Sequence, residues 1–328
     1  MNYLDVIKPK YLSNDFLSKY WELEAPFDPI GSIVYLRTYS RFIDELKRRE
    51  MWWETCLRVV EYSISLAQGK IEHDELVEEA EVFYDYLFNL KLFPAGRTLW
   101  VGGSKQSYID ASGNWNCCFR NIDSISSFTE IMYWLMLGSG TGFSVEGKCI
   151  DQLPNFHANK KITYEGWENS KKGIENTLVI TKHATLELEM NYLISSSLSR
   201  DLFNEMSVGE SVKIVVGDSK VGWCTATRAF MELLANPETF SIEVDLSNVR
   251  PAGERINIFG GRASGPKPLM QMLVGIQNTI GSSERLSAVQ CLDICNYIGK
   301  SIVSGGVRRT SEIDRKSTRL NSSHEFVS

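Results

Sequence analysis

The stretch from Asn116 to Val145 reads NCCFRNIDSISSFTEIMYWLMLGSGTGFSV, and it sets an extended run, a helix and a second extended run in direct succession. Trp115 and Phe119 flank the cysteine pair and favour a strand, in which neighbouring side chains point to opposite faces. Cys117 and Cys118 therefore cannot both line one pocket. A disulfide between them would be strained, so a working redox thiol here needs its partner from another loop. Ser127, Phe128, Thr129 and Glu130 have capping-box spacing, followed by an apolar helical run that stops at Gly138. The glycines of GSGTGFSV then turn the chain into a strand. Their order, helix before strand, is the reverse of a dinucleotide-binding fingerprint. Two readings stay open for them, a tight turn or a close backbone approach to a ligand.

Working outward, the N-terminal side is helical in pattern. IDELKRREMWWETCLRVVEYSISL and EHDELVEEAEVFYDYLFNL carry apolar residues at three- and four-residue spacing. FPAGRTLWVGGS, Phe93 to Ser104, predicts a short extended run ending in glycines and feeding a sheet. On the C-terminal side, Asn159 to Lys220 has weak patterning and reads as an insertion. TFSIEVDLSNV predicts a strand, followed by the long loop RPAGERINIFGGRASGPKP and two helices, PLMQMLVGIQNTI and ERLSAVQCLDICNYIGKSIV. The last residues, RKSTRLNSSHEFVS, lose all periodicity and resemble translated adapter sequence.

A chain of 328 residues is long enough to bury roughly three quarters of its unfolded surface. A net charge of −6, with no basic stripe, argues against a nucleic acid polymer as ligand, while a single nucleotide can still be held by glycine-loop amides. No apolar run approaches a membrane span and Met1 opens no secretory pattern, so no membrane is expected and the expected location is cytoplasmic. Seven cysteines at irregular spacing read as reduced thiols. Cys291 and Cys295, four apart, share one helix face with Val289, Ile298 and Ile302 and read as small core residues. The four histidines stand at no ligand spacing to any cysteine, so no metal site is expected.

In order and spacing, FPAGRTLWVGG, NCCF, GSGTGFSV, DLSNVRPAGERINIFGGRASGP and CNYIGKSIVSGGVRR resemble the adenosylcobalamin-dependent (class II) ribonucleoside-triphosphate reductases of the monomeric type, over about residues 30 to 313. The resemblance implies an α/β fold: part of a ten-stranded barrel preceded by a helical region over 1–90. The barrel would begin at 91–314, with 150–245 as an effector-site insertion and 315–328 as a foreign tail. It implies ribonucleotide reduction for DNA precursor synthesis, by a thiyl-radical mechanism initiated by adenosylcobalamin. Expected partners are a ribonucleoside triphosphate substrate, a deoxynucleoside triphosphate effector and a thioredoxin-type reductant. Residue by residue, it places Cys117 in the reducing pair, with Cys118 facing away but a second candidate. Thr98, Asn116, Ser139 and Gly140 would contact substrate, and Asp123 the effector ribose. Arg250 to Pro266 would line the effector region. The Asn-Pro-Cys-Gly-Glu motif of the radical cysteine is absent, as is the second reducing cysteine, so the chain alone is expected to be inactive. The alternatives are a non-catalytic deoxynucleotide-binding regulatory module and a glycyl-radical enzyme, for which no suitable glycyl motif follows Gly306.

Overall fold

The structure, a computed structural model, describes residues 3–157, 160–182, 184–194, 210–254, 262–303 and 311–312. The 315–328 tail and residues 255–261 lie outside them. The chain divides into two units, Met1–Asn116 and Cys117–Ser328.

The first unit is helical. In chain order it holds α1 (Tyr3–Ile7), α2 (Asn14–Ser18), α3 (Pro29–Thr38), the short hairpin β1 (Phe42–Ile43) and β2 (Arg48–Arg49), α4 (Trp52–Ser65), α5 (His73–Phe88), α6 (Gly96–Val101) and α7 (Lys105–Ile109). Its core gathers Leu17, Cys56, Leu57, Val60, Ala80, Tyr84 and Leu87. Two expectations fail here. The IDELKRRE segment, predicted helical, forms the hairpin instead, with Phe42 opposite Arg49 and Lys47 at φ 54° in the turn. The helix cannot start earlier because Glu54 fixes its first turn, accepting the Met51 amide at 2.7 Å and pairing with Arg48 at 2.6 Å. The run expected to be extended at Phe93–Ser104 contains α6, so Thr98 sits on a helix, half-buried, and not on a strand. Buried Arg97, Leu99 and Val101 alternate as strand residues would, which explains the misreading.

What holds α6 is a buried cation. Arg58 on α4 pairs with Glu50 through two contacts, 2.7 and 2.9 Å, donates to the Leu99 carbonyl at 3.2 Å and also donates to the Gly102 carbonyl. It thereby satisfies carbonyls that the end of a short helix leaves without partners. Gly103, at φ 74°, lies so close that a Cβ would meet Arg58 Cγ at 2.6 Å. Glu61, also buried on α4, accepts the amides of Lys10, Tyr11 and Leu12 at 2.8, 3.0 and 3.0 Å and so anchors the N-terminal segment.

The second unit is α/β. Its elements are β3 (Cys117–Asn121), α8 (Ile125–Met136), β4 (Gly140–Ser144), α9 (Gly147–Ile150), β5 (Lys161–Glu165), β6 (Thr177–Ile180), β7 (Thr185–Leu188), α10 (Met190–Ile194), β8 (Glu210–Val215), α11 (Lys220–Ala235), β9 (Thr239–Asp245), α12 (Lys267–Ile280), α13 (Ala288–Val303) and β10 (Ser311–Glu312). One sheet has the order β10-β4-β3, all parallel, with α8 as the crossover between β3 and β4. The other has the order β5-β9-β8-β6-β7; β5, β9 and β8 are parallel, and β6 and β7 complete it antiparallel. The described residues thus form a partial parallel sheet and a mixed one; a closed ten-stranded barrel is not among them.

A single apolar core joins Phe128, Ile131 and Leu135 of α8, Phe230 of α11, Val212, Ile214 and Val244 of the mixed sheet, and Leu273 and Ile276 of α12. Cys291 and Cys295 are fully buried in it. The strands of the weakly patterned middle escaped the sequence reading because polar residues interrupt them: in ESVKIV the buried Val212, Ile214 and Val215 stand among Ser211, which is exposed, and Lys213, which is half-buried.

Candidate functional site

In the parallel pairing of β3 with β4, Cys117 lies opposite Gly140, Cys118 opposite Thr141 and Phe119 opposite Gly142. Cys117, Phe119 and Asn121 are exposed, whereas Cys118 and Arg120 are half-buried and Thr141 and Phe143 fully buried. Paired residues of neighbouring strands share a face. The open face therefore carries a thiol and an aromatic ring beside two glycines, which contribute no side chain. Beside the sulfur this leaves a shallow trough floored by the backbone of Gly140, while Gly142 further along is itself buried.

The turn that enters β4 is a helix cap. Gly138 adopts φ 83°; its amide donates to the Leu135 carbonyl at 2.8 Å and that of Ser139 to the Trp134 carbonyl at 3.0 Å, the two bonds of a Schellman motif. The Ser139 amide is thus spent on α8, and its residue is buried. Of the two residues expected to contact substrate here, Gly140 is the one brought into register with Cys117, while the amide of Ser139 closes the helix.

Asp123, at the other end of α8, accepts from the Ser127 hydroxyl at 2.8 Å, from Ser124 at 3.1 Å and from Arg120 at 3.2 Å. Arg120 also pairs with Glu130 at 3.0 Å. Burial pushes the Glu130 carboxyl up, and the charge of Arg120 only partly offsets it. All three bonds to Asp123 fall on one oxygen, Oδ1, which orders the first turn of α8. Thr98 and Asn116 belong to the first unit, Asn116 exposed as the residue before Cys117.

A second cluster was not anticipated. β8, α11 and β9 form another parallel crossover, and ligands of α/β sheets gather at the carboxyl ends of such strands. There the chain turns through Gly217, Asp218 and Ser219. The Gly217 amide donates to the Thr177 hydroxyl at 3.0 Å, and Ser219 caps α11 by accepting the Gly222 amide at 2.9 Å. A side chain at Gly222 would strike the Gly217 carbonyl at 2.6 Å. Buried Asp218 accepts the Arg250 guanidinium at 2.9 Å and the Arg250 amide at 3.1 Å, tying this turn to the first residue of the 250–266 loop. The signal was present in VVGDSKVG: a valine-rich run, Gly-Asp-Ser, then helical spacing.

Comparison with known proteins bears on both clusters. A family model described as the ribonucleotide reductase alpha domain matches residues 12–104, and one described as the B12-dependent ribonucleotide reductase insertion domain matches residues 174–280. Together they make the chain a member of the ribonucleotide reductases, and within them of the B12-dependent class II. Among its relatives is the adenosylcobalamin-dependent ribonucleoside-triphosphate reductase of Lactobacillus helveticus (strain DPC 4571), 30% identical, with 89% of this chain and 42% of the relative covered. The enzyme of the same name from Lactobacillus leichmannii is 30% identical over 97% of this chain and 44% of its own length. A crystal structure of a B12-dependent (class II) ribonucleotide reductase superposes with a TM-score of 0.71 at 29% identity, covering 92% of this chain and 44% of that one. The chain thus spans less than half the length of these relatives. Among the described residues no helix is long and apolar enough to cross a membrane.

Proposed function

We propose that this chain carries the reducing thiol of a class II ribonucleotide reductase, with Cys117 presented to the ribose of a ribonucleoside triphosphate. The observation that carries the reading is the exposed Cys117 in register with Gly140, next to Phe119 and Gly142. A thiol beside a residue without a side chain leaves room for a sugar ring to approach it. Replacing the 2′ hydroxyl by hydrogen consumes two thiols and yields water and a disulfide. Cys117 supplies one sulfur. The other, and the radical cysteine, belong to motifs these 328 residues do not contain. Asn116 and Thr98 are proposed substrate contacts, and a ten-stranded barrel is the proposed frame. A thioredoxin-type protein would restore the thiols, and the enzyme would act as a monomer.

Adenosylcobalamin is the radical source we propose for the whole enzyme. Its cobalt is already held by the four nitrogens of the corrin, so the protein is asked for a surface that holds the ring and not for a cluster of metal ligands. The cavities seen beside β5 and α12, of about 790 and 250 Å³, are lined by strand and helix residues 157–281 and not by the Cys117 face. No step is therefore assigned to the corrin on this chain.

For the effector, the Gly217–Ser219 turn with Asp218 and Arg250 favours a deoxynucleoside triphosphate, its phosphates toward the start of α11. Asp123 remains the alternative contact. The same geometry supports the second reading, a regulatory module that binds deoxynucleotides without catalysis.

The test is alkylation of Cys117 by iodoacetamide, followed by peptide mass spectrometry. A ribonucleoside triphosphate should slow modification of Cys117 while leaving Cys118 unchanged. Equal rates with and without nucleotide defeat the substrate-facing assignment. Binding of a deoxynucleotide that leaves the Cys117 rate untouched favours the regulatory reading.

A further inference from the structure

Lys160 stands apart from both clusters. Its ammonium group reaches across to the end of α11 and the start of β9, donating to the carbonyl of Asn236 at 2.5 Å and that of Thr239 at 2.9 Å. It lines a cavity of about 250 Å³ with His157, Ile162, Leu234, Gln277 and Asn278. His157 is the other titratable residue in that lining, and no carboxylate belongs to it.

We propose that Lys160 is a site of covalent acylation by short activated acyl groups, acyl phosphates or acyl thioesters. The argument is a count of valences. A neutral lysine amine has two N–H bonds and one lone pair. The two carbonyls take both hydrogens, so the neutral form loses no hydrogen bond and keeps its lone pair for an electrophile. Desolvation, with no acidic neighbour among the described residues to oppose it, lowers the pKa of this amine to about 8, so far more of it is neutral near pH 7 than of an exposed lysine. The cavity walls supplied by Ile162, Leu234 and Ile280 suit an acyl chain of a few carbons.

In the reaction the lone pair forms an N–C bond to the acyl carbonyl. The C–O or C–S bond breaks, phosphate or thiolate leaves with its electron pair, and one amine proton passes to solvent. The amide that results has a single N–H. It can serve Asn236 or Thr239 but not both, so acylation loosens the junction of α11 with β9.

The chain is incubated with acetyl phosphate in one arm and an acetyl thioester of N-acetylcysteamine in another, from about pH 6.5 to about pH 11.5, native and in urea. Acetylation of each lysine is read by peptide mass spectrometry. The native Lys160 rate should rise with a midpoint near pH 8. In urea the midpoint should return to about 10.4, with at least a tenfold lower rate at pH 7.5. Reaction in either arm supports acylation and identifies the acyl source. Coincident native and urea profiles, or protection of Lys160 in the native chain in both arms, overturn the proposal. Lys160→Arg keeps charge and donors and should abolish the modified peptide without altering the thermal melt. The proposal is independent of the reductase reading, since neither arm involves a nucleotide.

Discussion

Cys117 and Gly140 face one another across parallel strands, the thiol exposed and the glycine contributing only backbone beside it. Gly140 is not among the glycines at positive φ, so a larger residue there meets no backbone strain. Gly140→Val should therefore fold and yet fill the trough. The expected result is a slower reaction of Cys117 with iodoacetamide and an unchanged thermal melt. An unchanged rate would show that the thiol is reached from some other side.

The seven thiols should sort by burial. Cys56, Cys149, Cys224, Cys291 and Cys295 are buried, and burial raises the pKa of Cys291 to about 12 and pushes Cys56 and Cys224 up as well. Since the thiolate is the reactive form, a disulfide reagent at pH 8 should label Cys117 first and Cys118 second, and the remaining five only on unfolding. Early labelling of Cys291 or Cys295 would contradict the packing of α13.

Glu50 and Arg58 form a buried pair on which α4 and α6 both depend. Burial works to raise the Glu50 pKa, but the charge and hydrogen bonds of Arg58 outweigh it, with Thr55 adding a further bond, and the carboxyl ends below its ordinary value. Arg58→Ala should cost about 3–5 kcal/mol by leaving a buried carboxylate alone. The pH sign follows from the lowered value. The stabilisation is fully present above the ordinary glutamate range and is lost as pH falls through the folded value beneath it. A melt series from pH 7 to 3 on the parent and on Glu50→Gln checks this; the two curves should converge at the acid end.

Asp218→Asn removes the charge that holds Arg250 to the Gly217–Ser219 turn. We expect weaker binding of deoxynucleoside triphosphate, read by titration calorimetry, with iodoacetamide labelling of Cys117 unaffected. Loss of both would mean that the substitution disturbs the second unit as a whole.

The two ends of the second unit were legible in the sequence because their segments each keep one period, unlike the middle between them. Asn116–Val145 announced strand, helix, glycine turn and strand, and these became β3, α8 and β4. The two C-terminal helices were equally plain from their apolar faces. The hairpin at Phe42–Arg49 was not, since its outcome rests on where Glu54 places its hydrogen bonds, a contact that no periodicity encodes. The role of Ser139 was hidden for a similar reason: a glycine run looks the same whether its amides wait for a ligand or close a helix. The Asp218–Arg250 contact joins residues 32 apart in the chain, and spacing alone does not reveal such a pair.

Among the described residues β3 is the outermost strand of its sheet, bonded to β4 on one side only. Its other margin presents a row of backbone donors and acceptors ready to recruit another strand. Whatever pairs there will also become the facing wall of the sulfur's compartment. Completion of the sheet and enclosure of the chemistry are then a single event, and solubility and reactivity should rise or fall together when that margin is altered.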